Sequence, residues 1–527
     1  MKSWNFPLYP LLMAGYCPIY MMAADQGMTD VVNVIRPTIA CVLLALLLMV
    51  ILSAMLRDRD RAAFWVAMIV GLIFGGKFAQ RIIARVIEGA TEPVAELFIL
   101  AGMTAVAVLL AIFVRPGHNM TRIANVIAAV MVIFPTTALL QREFSFSGAA
   151  ADTRLSLPES SGFHGAMDTG IRPNIVHVVL DGYSRQDVLA DLYEFDNTPF
   201  LNRLRDMGFA VADRATTPFN QTLLVMSSIF SGTMLEGSQR AQSGIELRDT
   251  VRSYLRHNPV METLSRLGYR TAAVDVRYDP VRMDFLDQLL EANAITNFEA
   301  AVFQRTSLYF IAYNLGLASP SISHEVFTKP YESELTDPFF LYVHLLAPHP
   351  PFDVNRHGQA IRPEGGHRGM VDGNHLTDNS DHRRELYQRG YVEKLEFVNQ
   401  GVLSMVRRII SRAIEPTVII IHGDHGGGLH LNHANLADTC VQERFSPLVA
   451  VYASDDRLQR ALPTDLNLVN LYRVVFNTYF GTEMPLLPNR SVFANWMNPA
   501  RQQTVPSERL TAAPGLCTQV EASPLQK

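Results

Sequence analysis

Apolar and polar positions are unevenly distributed along the chain, and the pattern predicts two regions. Before residue 145 there are five long apolar runs, roughly residues 6 to 24, 38 to 56, 62 to 78, 94 to 114 and 123 to 140. Each approaches the ~20 residues that a helix needs to cross a bilayer, so a membrane domain of five transmembrane helices is expected over residues 1–145. The third run is the weakest, because Lys77, Arg81 and Arg85 crowd its end and also suit an interfacial helix. The first is not read as a cleavable signal, since Pro7, Pro10 and Pro18 interrupt it and no small-residue cleavage site follows. Residues 146–172, rich in Ser, Gly, Ala, Asp and Pro, read as a linker. From Pro173 the period changes. Asn174–Leu180, Thr271–Val276, Phe339–Leu346, Thr417–Ile421 and Pro447–Tyr452 are continuous apolar runs of buried-strand length. Between them lie helical stretches, one opened by Thr198-Pro199 and others over residues 258–267 and 385–412. This alternation predicts an α/β domain over residues 173–500, with a mostly parallel sheet sandwiched by helices, and a polar tail over 501–527.

Composition narrows the function classes. The 527 residues are 49% hydrophobic and 18% charged, which excludes disorder and coiled coil and suits a chain partly in lipid. The formal net charge of -5 leaves no overall basic surface for phosphate backbones, so nucleic acid is excluded as a partner. Lys2, Arg57, Arg59, Arg61, Arg115 and Arg122 outweigh Arg36, Lys77, Arg81, Arg85 and Arg142 only slightly. The bias favours a cytoplasmic N-terminus, and five spans then export everything after residue 145. That part carries 34 basic and 42 acidic residues, a solvated domain of net charge -8. Its compartment permits a disulfide, for which Cys440 and Cys517 are candidates. The four cysteines form no CxxC pair, which argues against a structural zinc module.

The chemistry gathers at strand ends, where open α/β sheets bind ligands. The first strand ends at Asp181, and the fourth ends in HGDHGGG, bringing His422, Asp424 and His425 together. The third runs through His344 to the turn that holds His349. Eleven of the 15 histidines lie between His324 and His433. A carboxylate from one strand and an Asp-His pair from another are oxygen and nitrogen ligands suited to zinc or manganese. Asp181 alone reads equally as a turn residue, and His177, in mid-strand, reads as a core histidine. His357, His367, His375 and His382 read as solvated surface. Gly182-Tyr183-Ser184-Arg185-Gln186 lacks the closing glycine of a nucleophile elbow, which disfavours a serine hydrolase. Thr222 opens an apolar helix whose N-terminus would favour a bound anion, although by pattern alone it also reads as an ordinary N-cap.

Taken in order, strand-Asp181, Thr222 ahead of a helix, His349-Pro-Pro-Phe and Asp424-His425-Gly resemble the sulfatase-like branch of the alkaline phosphatase superfamily. The pattern is most similar to membrane phosphotransferases of the lipoteichoic acid synthase and lipid A phosphoethanolamine transferase type. The resemblance implies one divalent metal ion, zinc or manganese, held by Asp181, Thr222, Asp424 and His425, with Thr222 also the nucleophile. It implies a catalytic role for His349 at the phosphate or leaving group and an active-site role for His433; with His433, the strand-end histidines His344 and His422 are read as substrate-binding. It also implies a multi-pass protein of the cytoplasmic (inner) membrane with its catalytic domain in the periplasm, and membrane lipids and an envelope glycan or lipid acceptor as partners. The chain departs from the family in having no Cys-x-Pro-x-Arg motif and no paired aspartates at the first strand end. Nor is there a match to the glycerophosphate-binding His and Trp/Arg cluster around Asp275 to Phe285.

The activity expected is transfer of a phospholipid-derived head group, of phosphoglycerol or phosphoethanolamine type, through a phospho-threonine. The alternatives are a sulfatase-like hydrolase (phosphodiesterase, phosphatase or sulfatase) and, in another class, an inert envelope-assembly partner. An intact Thr222, Asp424 and His425 argue against inertness.

Overall fold

The structure is a computed structural model and describes residues 6–25, 27–84, 93–152, 162–235, 244–275, 278–291, 295–315, 321–363, 371–511 and 517. The chain separates into two compact units, Met1–Asp152 with Ala294–Ser319, and Thr153–Asn293 with Pro320–Lys527. Residues 153–161 of the expected linker, His367 and most of the C-terminal tail fall outside the described residues, as do Lys2 and the side chains of Lys77, Arg81 and Arg85.

The first unit has helices at the positions of the five apolar runs: α1 (Tyr9–Ala23), α2 (Ile35–Leu56), α3 (Arg59–Ala84), α4 (Pro93–Phe113) and α5 (His118–Asp152). Two stretches, Val31–Leu56 and His118–Glu143, are long and apolar enough to cross a membrane by length and composition. Helix α1 spans 15 residues and has Pro18 inside it. Small and aliphatic side chains, among them Ala14, Ala45, Ala63 and Ala67, form the seam where α1, α2 and α3 meet. The large apolar side chains of α2, such as Leu43, Leu47 and Val50, point outward and are exposed.

Residues 294–319 lie within the stretch read from the sequence as one catalytic domain, but they cluster with the first unit. The physical reason is apolar packing: Phe298 and Val302, one helical turn apart, join Met22 and Leu139 in a buried cluster.

In the second unit the described strands are β1 (Asn174–Leu180), β2 (Ala210–Val211), β3 (Arg270–Val274), β4 (Gln288–Leu290), β5 (Phe339–Leu345), β6 (Thr417–His422) and β7 (Val449–Ala453), with a separate pair β8 (Val492–Ala494) and β9 (Gln502–Thr504). Seven of them form one sheet in the order β2-β7-β6-β1-β5-β3-β4. The central pairings of β1 with β5 and β6 are parallel, whereas β7 runs antiparallel to β6 and β2. Continuous apolar runs suit the middle of such a sheet because both of its faces are covered. Alternate residues of β1 divide between two cores. Ile175 and Val179 join the side containing the helices Thr222–Ser231 and Leu471–Tyr479, while Val176, Val178 and Leu180 join the side of the long helix Asp381–Arg412.

Register then sets the site. Val179 pairs with His344 on one side and His422 on the other. Two residues further along β1 and β6 come Asp181 and Asp424, so the carboxylates emerge at the same edge of the sheet. The polar stretch after residue 500 contributes β9, and Cys517 forms a disulfide with Cys440.

Candidate active site

Asp181, Asp424 and His425 are buried, and one ligand atom from each lies within 4.8 Å of the others. Their hydrogen bonding is incomplete. Asp424 Oδ1 accepts from the Gly182 amide at 3.0 Å, but Asp424 Oδ2 and Asp181 Oδ1 are buried without a hydrogen-bond partner among the described residues. The His425 ring shows why. Its Nδ1 lies 2.9 Å from the Gly426 carbonyl oxygen, which can only accept, so Nδ1 carries the proton. Burial lowers the His425 pKa and the Arg444 guanidinium lowers it further, so the ring is neutral and Nε2 presents a lone pair. That lone pair stands 3.1 Å from Asp424 Oδ2 and 3.8 Å from Asp181 Oδ1. Lone pairs brought together in a buried place repel unless a cation lies among them, and two oxygens with one imidazole nitrogen are a donor set for a divalent metal. The residues therefore fit the metal that the strand-end pattern implies.

Thr222 is the first residue of the helix Thr222–Ser231, all ten residues of which are buried. Gly232 ends the helix at φ 63°, a left-handed conformation, with no room for a Cβ against Phe163. Thr222 Oγ1 lies 3.2 Å from His425 Nε2, which makes it a fourth donor beside the cluster. Its position is held from two directions. The Asn220 and Gln221 side chains both donate to the Ala494 carbonyl at the end of β8, and Thr217 Oγ1 donates to the Asp424 carbonyl at 2.6 Å. Nearby hydroxyls are differently engaged: Ser227 donates to Val251 O, and Thr216 accepts from Asn467.

His344 and His349 reach the site along β5. His344 is fully buried, with Nδ1 2.8 Å from the Tyr342 hydroxyl and Nε2 3.4 Å from Asp181 Oδ2. It stands behind the Asp181 carboxylate. His349 bonds the Pro350 carbonyl through Nδ1 and turns Nε2 to within 3.8 Å of Asp372 Oδ2. The turn around it is pinned by Lys394, whose buried ammonium lies within hydrogen-bond distance of the carbonyls of Leu346, His349 and Pro351 and of Ser321 Oγ.

The structure does not bring His422 to the cluster. Its Nε2 lies 2.7 Å from His177 Nε2 and its Nδ1 2.9 Å from the Gly423 carbonyl, so both ring nitrogens are engaged in the sheet core. His177 in turn meets the Tyr472 hydroxyl at 2.7 Å. His433 lies beyond the cluster, with Nε2 3.1 Å from the Asp372 carbonyl and its ring stacked on His375, 4.4 Å between centroids. His375 is exposed, as expected, yet this stack places it at the site's margin.

Sequence reasoning missed the groups that tie these parts together. Arg444, from the short helix Val441–Phe445, donates from Nε to Asn220 O at 3.0 Å and from Nη1 to Asp372 Oδ2 at 2.8 Å, and its Nη2 lies 3.0 Å from His425 Nε2. Asp372 also accepts from the Tyr387 hydroxyl at 2.7 Å. Burial works to raise the Asp372 pKa, but His349, Arg444 and Tyr387 outweigh it and hold the carboxyl well below the usual range. The loop after His425 rests on Glu443, which accepts from the amides of Leu429 and His430, and on Ser184, which accepts from the Gly427 amide. A charged residue in a five-residue helix has no periodic signal. A buried Arg beside a buried Asp is visible only once the chain is folded.

A sulfatase family model matches residues 173–441. Among solved structures the chain is similar to the C-terminal periplasmic domain of EcEptC from Escherichia coli in complex with Zn, at 15% identity, covering 64% of this chain and 90% of that one, with a TM-score of 0.42. It is also similar to the integral membrane lipooligosaccharide phosphoethanolamine transferase A from Neisseria meningitidis, at 12% identity, covering 91% and 95%, with a TM-score of 0.40. A third is the phosphonate monoester hydrolase of Silicibacter pomeroyi, at 13% identity, covering 59% and 74%, with a TM-score of 0.39. Comparison with curated proteins gives no match. The family match spans more than half of the chain and takes in Asp181, Thr222, His349, Asp424 and His425: the chain belongs to the sulfatase family, metal-dependent enzymes of the alkaline phosphatase superfamily.

Proposed function

We propose that the protein is a membrane-anchored phosphotransferase that moves a phospholipid-derived head group, of phosphoglycerol or phosphoethanolamine type, to an envelope glycan or lipid. In this reading it lies in the cytoplasmic membrane with the catalytic unit on the extracytoplasmic side. The observation that carries the proposal is the single hydroxyl of Thr222, 3.2 Å from His425 Nε2, at the N-terminus of a buried helix and beside two unpartnered carboxylate oxygens.

Asp181, Asp424, His425 and Thr222 would hold one zinc or manganese ion, which supplies Lewis acidity that makes the threonine hydroxyl easier to ionise. Thr222 Oγ, having lost its proton to solvent, attacks phosphorus, and the P–O bond to the lipid glycerol breaks. The departing glycerol oxygen takes a proton from His349. In the second displacement the acceptor hydroxyl gives its proton to His349 and attacks the phospho-threonine, and the freed Thr222 oxygen is reprotonated from solvent. The helix N-terminus and the Arg444 guanidinium supply positive potential where charge develops on the phosphoryl oxygens. His344, held by Tyr342, keeps Asp181 in place.

The test is turnover by the purified full chain, reconstituted with phosphatidylethanolamine or phosphatidylglycerol. Diacylglycerol release should require zinc or manganese and rise when an acceptor glycolipid is added. Release that is the same with and without acceptors would favour the hydrolase.

A further inference from the structure

We propose that the segment between β4 and β5 carries a membrane-surface element: two short helices, Asn297–Gln304 and Ser307–Asn314, whose outer face lies against the head-group boundary of the bilayer where α2 begins and α5 leaves the apolar zone. The proposal rests on the reading of α2 and α5 as membrane spans.

The inner side of the segment is fixed to the helical unit. Phe298 and Val302 pack with Met22, near the end of α1, and with Leu139 of α5, and Val31, Val34 and Phe74 lie against the same cluster. The apolar stretch containing α2 starts at Val31, and that of α5 ends at Glu143. The cluster therefore marks the level at which both spans meet the interface. Polar anchors agree. Thr296 and Glu299 form a capping box, and Glu299 Oε1 pairs with Arg36 at 3.0 Å, in the first turn of α2. Ser307 Oγ donates to the Leu72 carbonyl of α3 at 2.8 Å.

Elsewhere on the segment, large apolar side chains are exposed. Phe303, Leu308, Ile311 and Leu315 are 45%, 45%, 43% and 67% exposed. Four large apolar side chains left exposed within thirteen residues are a concentration that soluble surfaces rarely leave bare. Exposed aliphatic residues on α2 present the same chemistry to the bilayer interior, so the patch continues a lipid-facing surface at its edge. Short amphipathic helices with an aromatic and aliphatic face lie in the interface plane, while a spanning helix needs ~20 residues. At eight residues each, these helices are too short to span. The occupant argued for is the lipid surface itself.

Site-directed spin labelling of the full chain in nanodiscs tests this, on a background in which Cys17 and Cys41 are replaced by Ser. Labels go on Leu308→Cys, Ile311→Cys and Leu315→Cys, with Leu47→Cys as the lipid control and Ile414→Cys, 94% exposed in the second unit, as the water control. Collision with oxygen and with a water-soluble nickel chelate is measured at each site. The expected result is that the three segment sites favour oxygen, at a depth shallower than Leu47, while Ile414 favours the chelate. Segment sites that behave like Ile414 would overturn the proposal, as would segment sites closed to both reagents, the mark of a protein partner. A Leu47 label open to the chelate would instead remove the membrane reading on which the proposal rests.

Discussion

Arg444→Met is the most informative single perturbation of the site, because one buried guanidinium joins the Thr222 loop, the loop after β6 and Asp372. Methionine keeps most of the volume but removes the charge and every donor. The main cost is the Asp372 carboxylate, which keeps the Tyr387 hydroxyl and loses its cation; breaking one partner of a buried ion pair costs ~3–5 kcal/mol. The Asn220 carbonyl loses a donor worth ~1 kcal/mol, and relaxation recovers part of the total, so a loss of about 4 kcal/mol is expected. At roughly 2–4 °C per kcal/mol this is a fall in Tm on the order of 10 °C, readable by thermal unfolding of the full chain in detergent. Arg444→Lys, which restores charge without the fork, should recover about half of that. The pH dependence has a definite sign. Asp372 is held below its unfolded value of ~3.9, so its contribution is complete above that value and lost as pH falls through the lower folded one. The gap between wild type and Arg444→Met should therefore narrow as pH falls below ~4. Turnover should drop ~10²–10³-fold, the scale for removing one group that stabilises developing charge. A variant within ~1 kcal/mol of wild type and fully active would refute the assignment.

Two further outcomes are expected. Lys394→Met leaves the acceptors around the His349 turn without a donor, and should lower both stability, by ~1–3 kcal/mol, and kcat; unchanged kcat would show that the turn does not need its pin. Burial, and then Arg444 and His375, push the His433 pKa down to about 3 against the favourable pull of Asp372. The unfolded state then binds more protons below ~6.5, so stability should fall by up to ~1.4 kcal/mol per pH unit as pH drops from about 6 towards 3. Denaturation midpoints of His433→Gln should depend less on pH, and equal slopes for the two proteins would contradict this.

The parts of this site legible in the sequence are those on which a strand ends. Runs such as Asn174–Leu180 announce themselves because both faces of a central parallel strand are buried, and a carboxylate placed immediately after such a run has few structural reasons to be there. Asp181, Asp424 and His425 could be found that way. Adjacency misled at His422. It sits two residues before Asp424, but the register of β6 puts it opposite Val179, and its ring meets His177 inside the sheet. Asp372, Tyr387 and Arg444 come from a loop, a long helix and a five-residue helix, and only tertiary packing makes them neighbours. The Asn297–Gln304 and Ser307–Asn314 helices were hidden for another reason. They are short and lie between two strands of the sheet, so chain order assigned them to the catalytic unit, while the pairing of Phe298 and Val302 with the helical unit has no counterpart in local pattern.

The central claim is that Thr222 carries the phosphoryl group between donor and acceptor. It is tested most directly by incubating the reconstituted full chain with metal and donor lipid but no acceptor, quenching in acid, and mapping the modified peptide by mass spectrometry. The account predicts a head-group phosphate on Thr222, absent from Thr222→Ala, which should keep its fold within ~1 kcal/mol while losing turnover by several orders of magnitude. An adduct on Ser227 or Ser228, or donor consumption that persists in Thr222→Ala, would contradict it.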